Sequence, residues 1–289
     1  MTTNENLSWS NRMSVGGTVI SFVSHSVKEV REIVADDGLR GTRARSMERV
    51  AQGLIHVAGD IVCQPTPTEL TALLPYALQG STAFTLTDAM QDFTLVIDEV
   101  TKGFTSSGRF NTMRISGSPG KKLDFTFGFI GYSMTTGSGG TISTASDLTQ
   151  RPYVMSDMGS GITIGGTTYL IDKFELTVDN GISPTFMQGQ TATDLAPADR
   201  QIHLSLASKF SSTEAPLLIT NQTGPVIASP ITGSLAFTNG SNSITFSFPA
   251  LVATSETPTT PGGAGKLRLP LNYQAYKVGS SLEMVITNT

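Results

Sequence analysis

Residues 110–130 read FNTMRISGSPGKKLDFTFGFI, and this stretch decides the fold class. Phe110–Ser116 and Leu123–Ile130 each set apolar side chains on one face in period-two fashion, the signature of half-buried strands. Between them, Gly117-Ser-Pro-Gly-Lys-Lys has the residues of a tight hairpin turn. The same alternation runs through Phe93–Asp98. It returns in the second half at Tyr169–Val178, Gln201–Ala207, Ile244–Phe248, Leu267–Leu269 and Ser281–Ile286. Val27–Val34 fits either helix or strand, and its β-branched residues favour a strand. A mainly β, antiparallel protein is expected.

One helix is expected. Thr66-Pro-Thr-Glu supplies a hydroxyl at N-cap, proline at N1 and Glu69 at N3, a capping box. Leu70, Leu73 and Leu74 then form an apolar stripe, and Pro75 should end the helix within about two turns. Two segments, Thr135–Gly166 and Thr254–Gly265, are dense in Gly, Ser, Thr and Pro and read as loops. Loops of that length in a compact β protein usually act outside their own domain.

Composition agrees with this class. Of the 289 residues, 38% are hydrophobic and only 15% charged, against a common ~25% charged. Gly, Ser, Thr, Asn and Gln fill the difference, as suits turns, strand surfaces and faces covered by neighbours. The net charge of −4 argues against wrapping nucleic acid, which calls for a basic footprint, but is compatible with a pore through which DNA slides. Cys63 is the one cysteine, so no intrachain disulfide can form. No positively charged segment followed by an apolar run opens the chain, and no stretch approaches ~18 apolar residues. Synthesis and folding in a cytoplasm, with no membrane span, are expected.

Short matches recur in order between the halves. Gly41-Thr-Arg-Ala, Ile55-His-Val, Thr68-Glu and Leu73-Leu are followed at nearly constant spacing by Gly189-Gln-Thr-Ala, Ile202-His-Leu, Thr213-Glu and Leu217-Leu. Leu123-Asp-Phe-Thr-Phe matches Ile244-Thr-Phe-Ser-Phe. A duplicated domain follows as the expectation: a first β domain at 1–134, a Gly/Ser/Thr-rich linker or loop at 135–166, and a second β domain at 167–289.

Chemistry is sparse. His25, His56 and His203 are the only histidines. His56 and His203 fall at matching places in the halves, as ordinary strand positions or as a pH switch. Cys63 follows His56 by seven residues, yet no third group orients such a pair, and lone cysteines are mostly buried hydrophobes. A zinc site needs about four N or S ligands, more than this chain offers. Gly159-Ser-Gly-Ile-Thr-Ile-Gly-Gly lacks the lysine and following helix of a phosphate loop. Asp36-Asp37 reads as a turn, and Asn221-Gln-Thr and Asn239-Gly-Ser as incidental glycosylation patterns. Arg40, Arg43, Arg45 and Arg49 could meet phosphate or a neighbour's carboxylates, or simply lie in solvent. No catalytic, cofactor-binding or metal residue is assigned, and the chain is expected not to be an enzyme.

The run from Leu39-Arg-Gly-Thr-Arg through Gly53-Leu-Ile-His-Val-Ala-Gly-Asp-Ile to Gln64-Pro-Thr-Pro-Thr-Glu-Leu-Thr-Ala-Leu-Leu-Pro, with the hairpin at 110–127 and Ile171-Asp-Lys-Phe-Glu-Leu-Thr-Val-Asp-Asn, resembles the tail tube (major tail) proteins of long-tailed bacteriophages. The resemblance implies an antiparallel β-sandwich or barrel with a short flanking helix. It implies a virion subunit, made in the host cytoplasm, that self-assembles into rings stacked as a tube. Other phage tail proteins are implied partners, and double-stranded DNA would pass non-specifically through the lumen at genome ejection. A duplicated chain would build trimeric, pseudo-sixfold rings and a single-unit chain hexameric ones. The alternatives are a monomeric β-sandwich binding or decoration protein of the virion, a secretion-system tube protein, and a hydrolase on a β fold. The duplication counts against the secretion-system tube. The binding module would show a recognition patch, and the 7% aromatic content with a lone Trp9 gives it little. The hydrolase would need a paired acid and base.

Overall fold

The computed structural model describes residues 11–35, 47, 50–78, 86, 88, 91–99, 101–142, 149–209, 230–256 and 268–288. Strands β1 (Arg12–Val15), β2 (Thr18–Ile20), β3 (Phe22–His25), β4 (Lys28–Val34) and β5 (Ala51–Cys63) precede helix α1 (Pro67–Ala77). β6 (Phe93–Glu99), β7 (Lys102–Gly117) and β8 (Asp124–Ser138) follow it. After a 3-10 turn at Met155–Met158 come β9 (Ile162–Ile164), β10 (Thr167–Tyr169), β11 (Lys173–Asp179), β12 (Ser183–Thr185), β13 (Asp194–Ala196) and β14 (Gln201–Lys209). β15 (Ile231–Asn239), β16 (Asn242–Glu256), β17 (Arg268–Ala275) and β18 (Val285–Asn288) complete the chain. Sixteen of these strands form one antiparallel sheet, and β12 pairs with β13 apart from it. The mainly β fold expected from the alternation is therefore observed, and Val27–Val34 resolves as strand β4.

The decisive stretch folds as the β7–β8 hairpin. Its turn places Pro119 second and Gly120, at φ +74, third, with Lys121 N–H bonded to the Ser118 carbonyl at 3.2 Å. Proline fixes the first φ and glycine supplies the positive one, as a type II turn requires. Phe110 and Met113 are an odd number of residues apart, so a flat strand would send them to opposite faces. Both are buried, because a register shift between Phe110 and Thr112 leaves Asn111 as an extra residue. Phe110 stacks on Phe127 at 4.8 Å and meets Phe93 at 4.5 Å, which makes it the centre of the aromatic core.

Helix α1 carries the expected capping box. Glu69 N–H donates to Thr66 Oγ1 at 3.3 Å, and Thr66 N–H donates to the Glu69 carboxylate at 2.8 Å. The same buried carboxylate accepts from Ser21 N–H at 2.7 Å and so ties β2–β3 to the helix. The helix is longer than the sequence reading expects. It passes Pro75 and reaches Ala77, with Leu78 N–H bonded to the Leu74 carbonyl at 2.9 Å. Proline removes the bond to Thr71, but Leu70, Leu73, Leu74, Ala77 and Leu78 are all buried. Burial of that stripe on the sheet outweighs the single lost bond.

Two runs of strands have the same connectivity and the same neighbours. The first is ordered β2-β1-β6-β7-β8-β5-β4. The second is ordered β10-β9-β15-β16-β17-β14-β11. β8 lies along the whole of one edge of β7. On the other edge β6 pairs with Lys102–Gly108, then β11 takes over at Thr112–Gly117. That β7–β11 pairing is where the second run joins the first. The Gly/Ser/Thr-rich segment 135–166 begins as the end of β8 and leaves as β9.

Candidate assembly surfaces

Three features of the fold present backbone or apolar side chains in ways that a neighbour could use: the joint between the two strand runs, a two-stranded ribbon, and the uncovered sheet edges.

The joint is built around the bulge of β7. Asn111 accepts at its carbonyl from Asn180 N–H, 2.8 Å, and at its side-chain oxygen from Ile182 N–H, 2.5 Å. The buried Asn180 amide donates to the carbonyls of Ala77 and Phe110, both at 3.2 Å. One side chain thus closes the C-terminal end of α1 and the gap in the β7 ladder together. Next to it, Arg109 donates to the Asp92 carboxylate and, at 2.6 Å, to the Leu195 carbonyl at β13. Arg114 of β7 and Glu175 of β11 form an ion pair across the joint itself.

The ribbon consists of β4 and the first part of β5. β4 pairs with β5 from Lys28↔Ala58 to Val34↔Ala51, whereas β8 covers β5 only from Val57 onward. Residues 51–56 therefore leave the sheet with β4 as their strand partner. Ile33 and Val34 stand 72% and 57% exposed on it. A strap from the β12–β13 connection holds its base. Ile55 N–H donates to the Gln190 carbonyl at 2.7 Å, Ala192 N–H to the Ile55 carbonyl at 3.1 Å, and the Gln190 amide to the Gln52 carbonyl at 2.8 Å. Gly59 sits near the base of the ribbon, still paired with Phe129 of β8. At φ +154, a Cβ there would lie 2.5 Å from both the Ser26 carbonyl oxygen and the Val27 Cα, so no larger residue fits. A two-stranded ribbon is marginal in water by itself, and exposed apolar residues on it mark a surface awaiting a partner.

Among the described strands, β2 and β10 end the sheet path, and β3 pairs with β5 alone. Val23 of β3 is 61% exposed.

The chemically notable side chains are scattered. Cys63 is fully buried; burial first, then the nearby Glu69 and Asp124 carboxylates, push its thiol up and leave it protonated. His56 does not approach it as a base: its ring meets Phe186 edge-on at 6.2 Å, at the strap. His25 sits 4.0 Å from Glu99; burial lowers its pKa and Glu99 opposes that. His203 bonds Gln201 on the sheet surface. Gly159 and Gly161 follow the 3-10 turn and precede β9, a turn rather than a phosphate cradle. A shallow cleft beside β3, lined by Phe22, Val23, Gln64, Lys122, Gln150 and Pro152, brings together no acid and base. Among the described residues no group of three His, Cys, Asp or Glu could hold a metal. The arginine cluster at 40–49, Asp36-Asp37, Trp9, Asn221, and the matches at Thr213 and Leu217 lie outside the described residues, as does 257–265 of the second loop. No helix among the described residues is long and apolar enough to cross a membrane.

A family model described as phage tail tube protein matches residues 3–275. The chain belongs to that family. As a tail tube protein it is a structural component of the virion tail that assembles with other copies and with further phage tail proteins. The family is generally non-enzymatic. No curated protein matched the chain.

Sequence reasoning missed the joint. Asn111, Asn180 and Arg109 are unremarkable in sequence, and only the odd spacing of Phe110 and Met113 hints at the bulge that brings them together.

Proposed function

We propose that the chain is two copies of one β unit, 12–138 and 162–275, and that three chains form a pseudo-sixfold ring of the tail tube. The repeated strand order carries this reading: seven strands in each run share connectivity and neighbours, which two unrelated sheets would not do. Drawing the second unit from Ile162 takes in β9 and β10, the counterparts of β1 and β2. The rings stack, and the ribbon with Ile33 and Val34 reaches the next ring. The lumen passes double-stranded DNA at ejection without sequence preference, consistent with the weak net charge of −4. The subunit performs no catalysis.

Electron microscopy of the purified chain across a concentration series tests the proposal. Hollow tubes with threefold, pseudo-sixfold rings are expected. Rings of six chains would overturn the trimer, and a monomer at every concentration would favour a β-sandwich binding module of the virion.

A further inference from the structure

β5 meets a different surface at each of its ends. β8 pairs with it from Val57 to Cys63. Before Val57 the strand continues as the ribbon. Past Cys63 it reaches the cleft beside β3, where Phe22 lies opposite Cys63 and Gln64 follows in sequence. One strand thus carries the ribbon at one end and borders the cleft at the other.

The outer end of the ribbon is apolar, with an acid beside it. Glu32, Ile33 and Val34 are all exposed. Glu32 and Val34 lie side by side over Gly53, where a Cβ would come 3.0 Å from Glu32 Cβ and 3.2 Å from Val34 Cγ2. Glycine there lets the two side chains share one face.

The cleft offers the complementary chemistry. Phe22, Val23 and Pro152 give it an apolar wall, and exposed Lys122 stands as a cation at its rim. Val23 is 61% exposed. The amides that line it already have partners within the chain. Gln64 Nε2 donates to Asp124 at 2.8 Å, and Gln150 Oε1 accepts from Thr68 at 3.2 Å. The space is about 300 Å³, at the small end for a ligand pocket.

We infer that the outer end of the ribbon, Glu32–Val34, seats in the β3 cleft of a second copy in the next ring. Val34 packs against Val23 and Phe22 there, and Glu32 faces Lys122. This rests on the proposed stacking of rings and needs no duplication. The contact is heterologous, since each copy gives its ribbon and receives another. Because the two surfaces lie at opposite ends of one strand, repeating the contact displaces each copy along that strand. The result is an open stack, as a growing tube requires.

The spacing of the stack follows. Gln52, opposite Ile33, and Gln64 are at most about 40 Å apart at ~3.3 Å per residue. Whatever the rotation between rings, their axial repeat should be about 40 Å or less.

Charge reversal and cross-linking test the contact. Glu32→Lys and Lys122→Glu should each leave rings intact and cut the yield of tubes about threefold or more. The chain carrying both should recover to within about twofold of the parent; two losses without recovery overturn the pairing of these residues. The chain with Val23→Cys and Val34→Cys, treated as tubes with a short bis-maleimide, should give a ladder of covalent multimers on a denaturing gel. Buried, protonated Cys63 does not compete, so either single variant should remain a monomer band. Tubes without a ladder, or a ladder that stops at the number of chains in one ring, overturn the contact and leave the tube reading standing. So does an axial repeat well beyond the limit given above. A parent chain that forms no tube at any concentration overturns the tube reading and the contact with it.

Discussion

β5 and β14 hold the same place in the two strand runs, between β4 and β8 in one and between β11 and β17 in the other. Yet β5 has 13 residues and β14 has 9. The additional length does not enlarge the sheet. It leaves the sheet before Val57 and, with β4, becomes the ribbon. The corresponding connection in the second run, between β11 and β14, instead folds back as β12, the strap and β13, and grips that ribbon at Ile55. One scaffold thus carries two different appendages, the ribbon and the strap. Ile33 and Val34 belong to the ribbon. If three such chains form the ring proposed above, the two would alternate around its circumference, a specialisation that six identical units could not have.

The largest expected effect tests whether the first run is the rigid anchor of the chain. Phe110 is buried between Phe93 and Phe127 at the β7 bulge. Phe110→Ala should cost about 3–5 kcal/mol, the usual range for a buried phenylalanine, read as the free energy of urea unfolding. If the two runs unfold separately, only the first transition should move. If the joint couples them, a single transition should shift as a whole.

Next is the joint itself. Asn180→Ala removes the amide that donates to the buried carbonyls of Ala77 and Phe110. A loss of roughly 1–3 kcal/mol is expected from the two lost bonds. Limited proteolysis should show new cleavage near 180–182 before any cut within β14 or β17. Equal cleavage throughout would mean that the runs are held together elsewhere.

The β class, the hairpins and the capped helix were legible because each is written in local pattern: alternation, a Pro-Gly turn, Thr66 with Glu69. The repeated strand order was legible in outline only. The match of Ile55-His-Val with Ile202-His-Leu joins strands of the same place, but neighbour-to-neighbour register sets His203 against Asp60 rather than His56. The slip arises because the ribbon adds residues to β5 that β14 lacks. The match of Leu123-Asp-Phe-Thr-Phe with Ile244-Thr-Phe-Ser-Phe joins strands of different place, β8 and β16, since alternating aromatics suit any half-buried strand. Pro75 misled because propensity cannot register the burial that overrides it. The joint was silent because asparagines gain their meaning from partners some seventy residues or more away.

A pH titration separates the segment between the runs from the runs themselves. Asp98 is buried, which raises its pKa, but N–H bonds from Ile142 and Gly140 outweigh burial and hold the carboxyl below its ordinary value. At the far end of the segment, burial likewise raises Asp157, and Arg151 with the Val154 N–H lowers it further than burial lifts it. A carboxylate thus pins each end. Because both folded pKa values are depressed, their stabilisation is complete above the unfolded pKa of about 4. It drains away as pH falls through the folded values. Acid should therefore weaken the chain below about pH 4, and Asp98→Asn should flatten that slope in a melting-temperature profile. A slope unchanged in Asp98→Asn would place the acid sensitivity at other carboxylates.

The smallest effect on folding should bring the largest effect on assembly, and that contrast is the sharpest test of the two appendages. Ile33→Asp with Val34→Asp changes side chains that already stand in water, so stability should stay within about 0.5 kcal/mol of the parent. If the ribbon serves the next ring, placing carboxylates on it removes apolar contact and adds a desolvation cost. Rings should then form while tubes stay short or absent in negative stain. Met187→Asp, on the strap and 77% exposed, is the matched change on the other appendage. Its folding effect should be equally small, and tube length should change less than in the ribbon variant. Equal loss of tubes in both would mean that the appendages act together at the ring-to-ring contact, and that the asymmetry between β5 and β14 divides no labour.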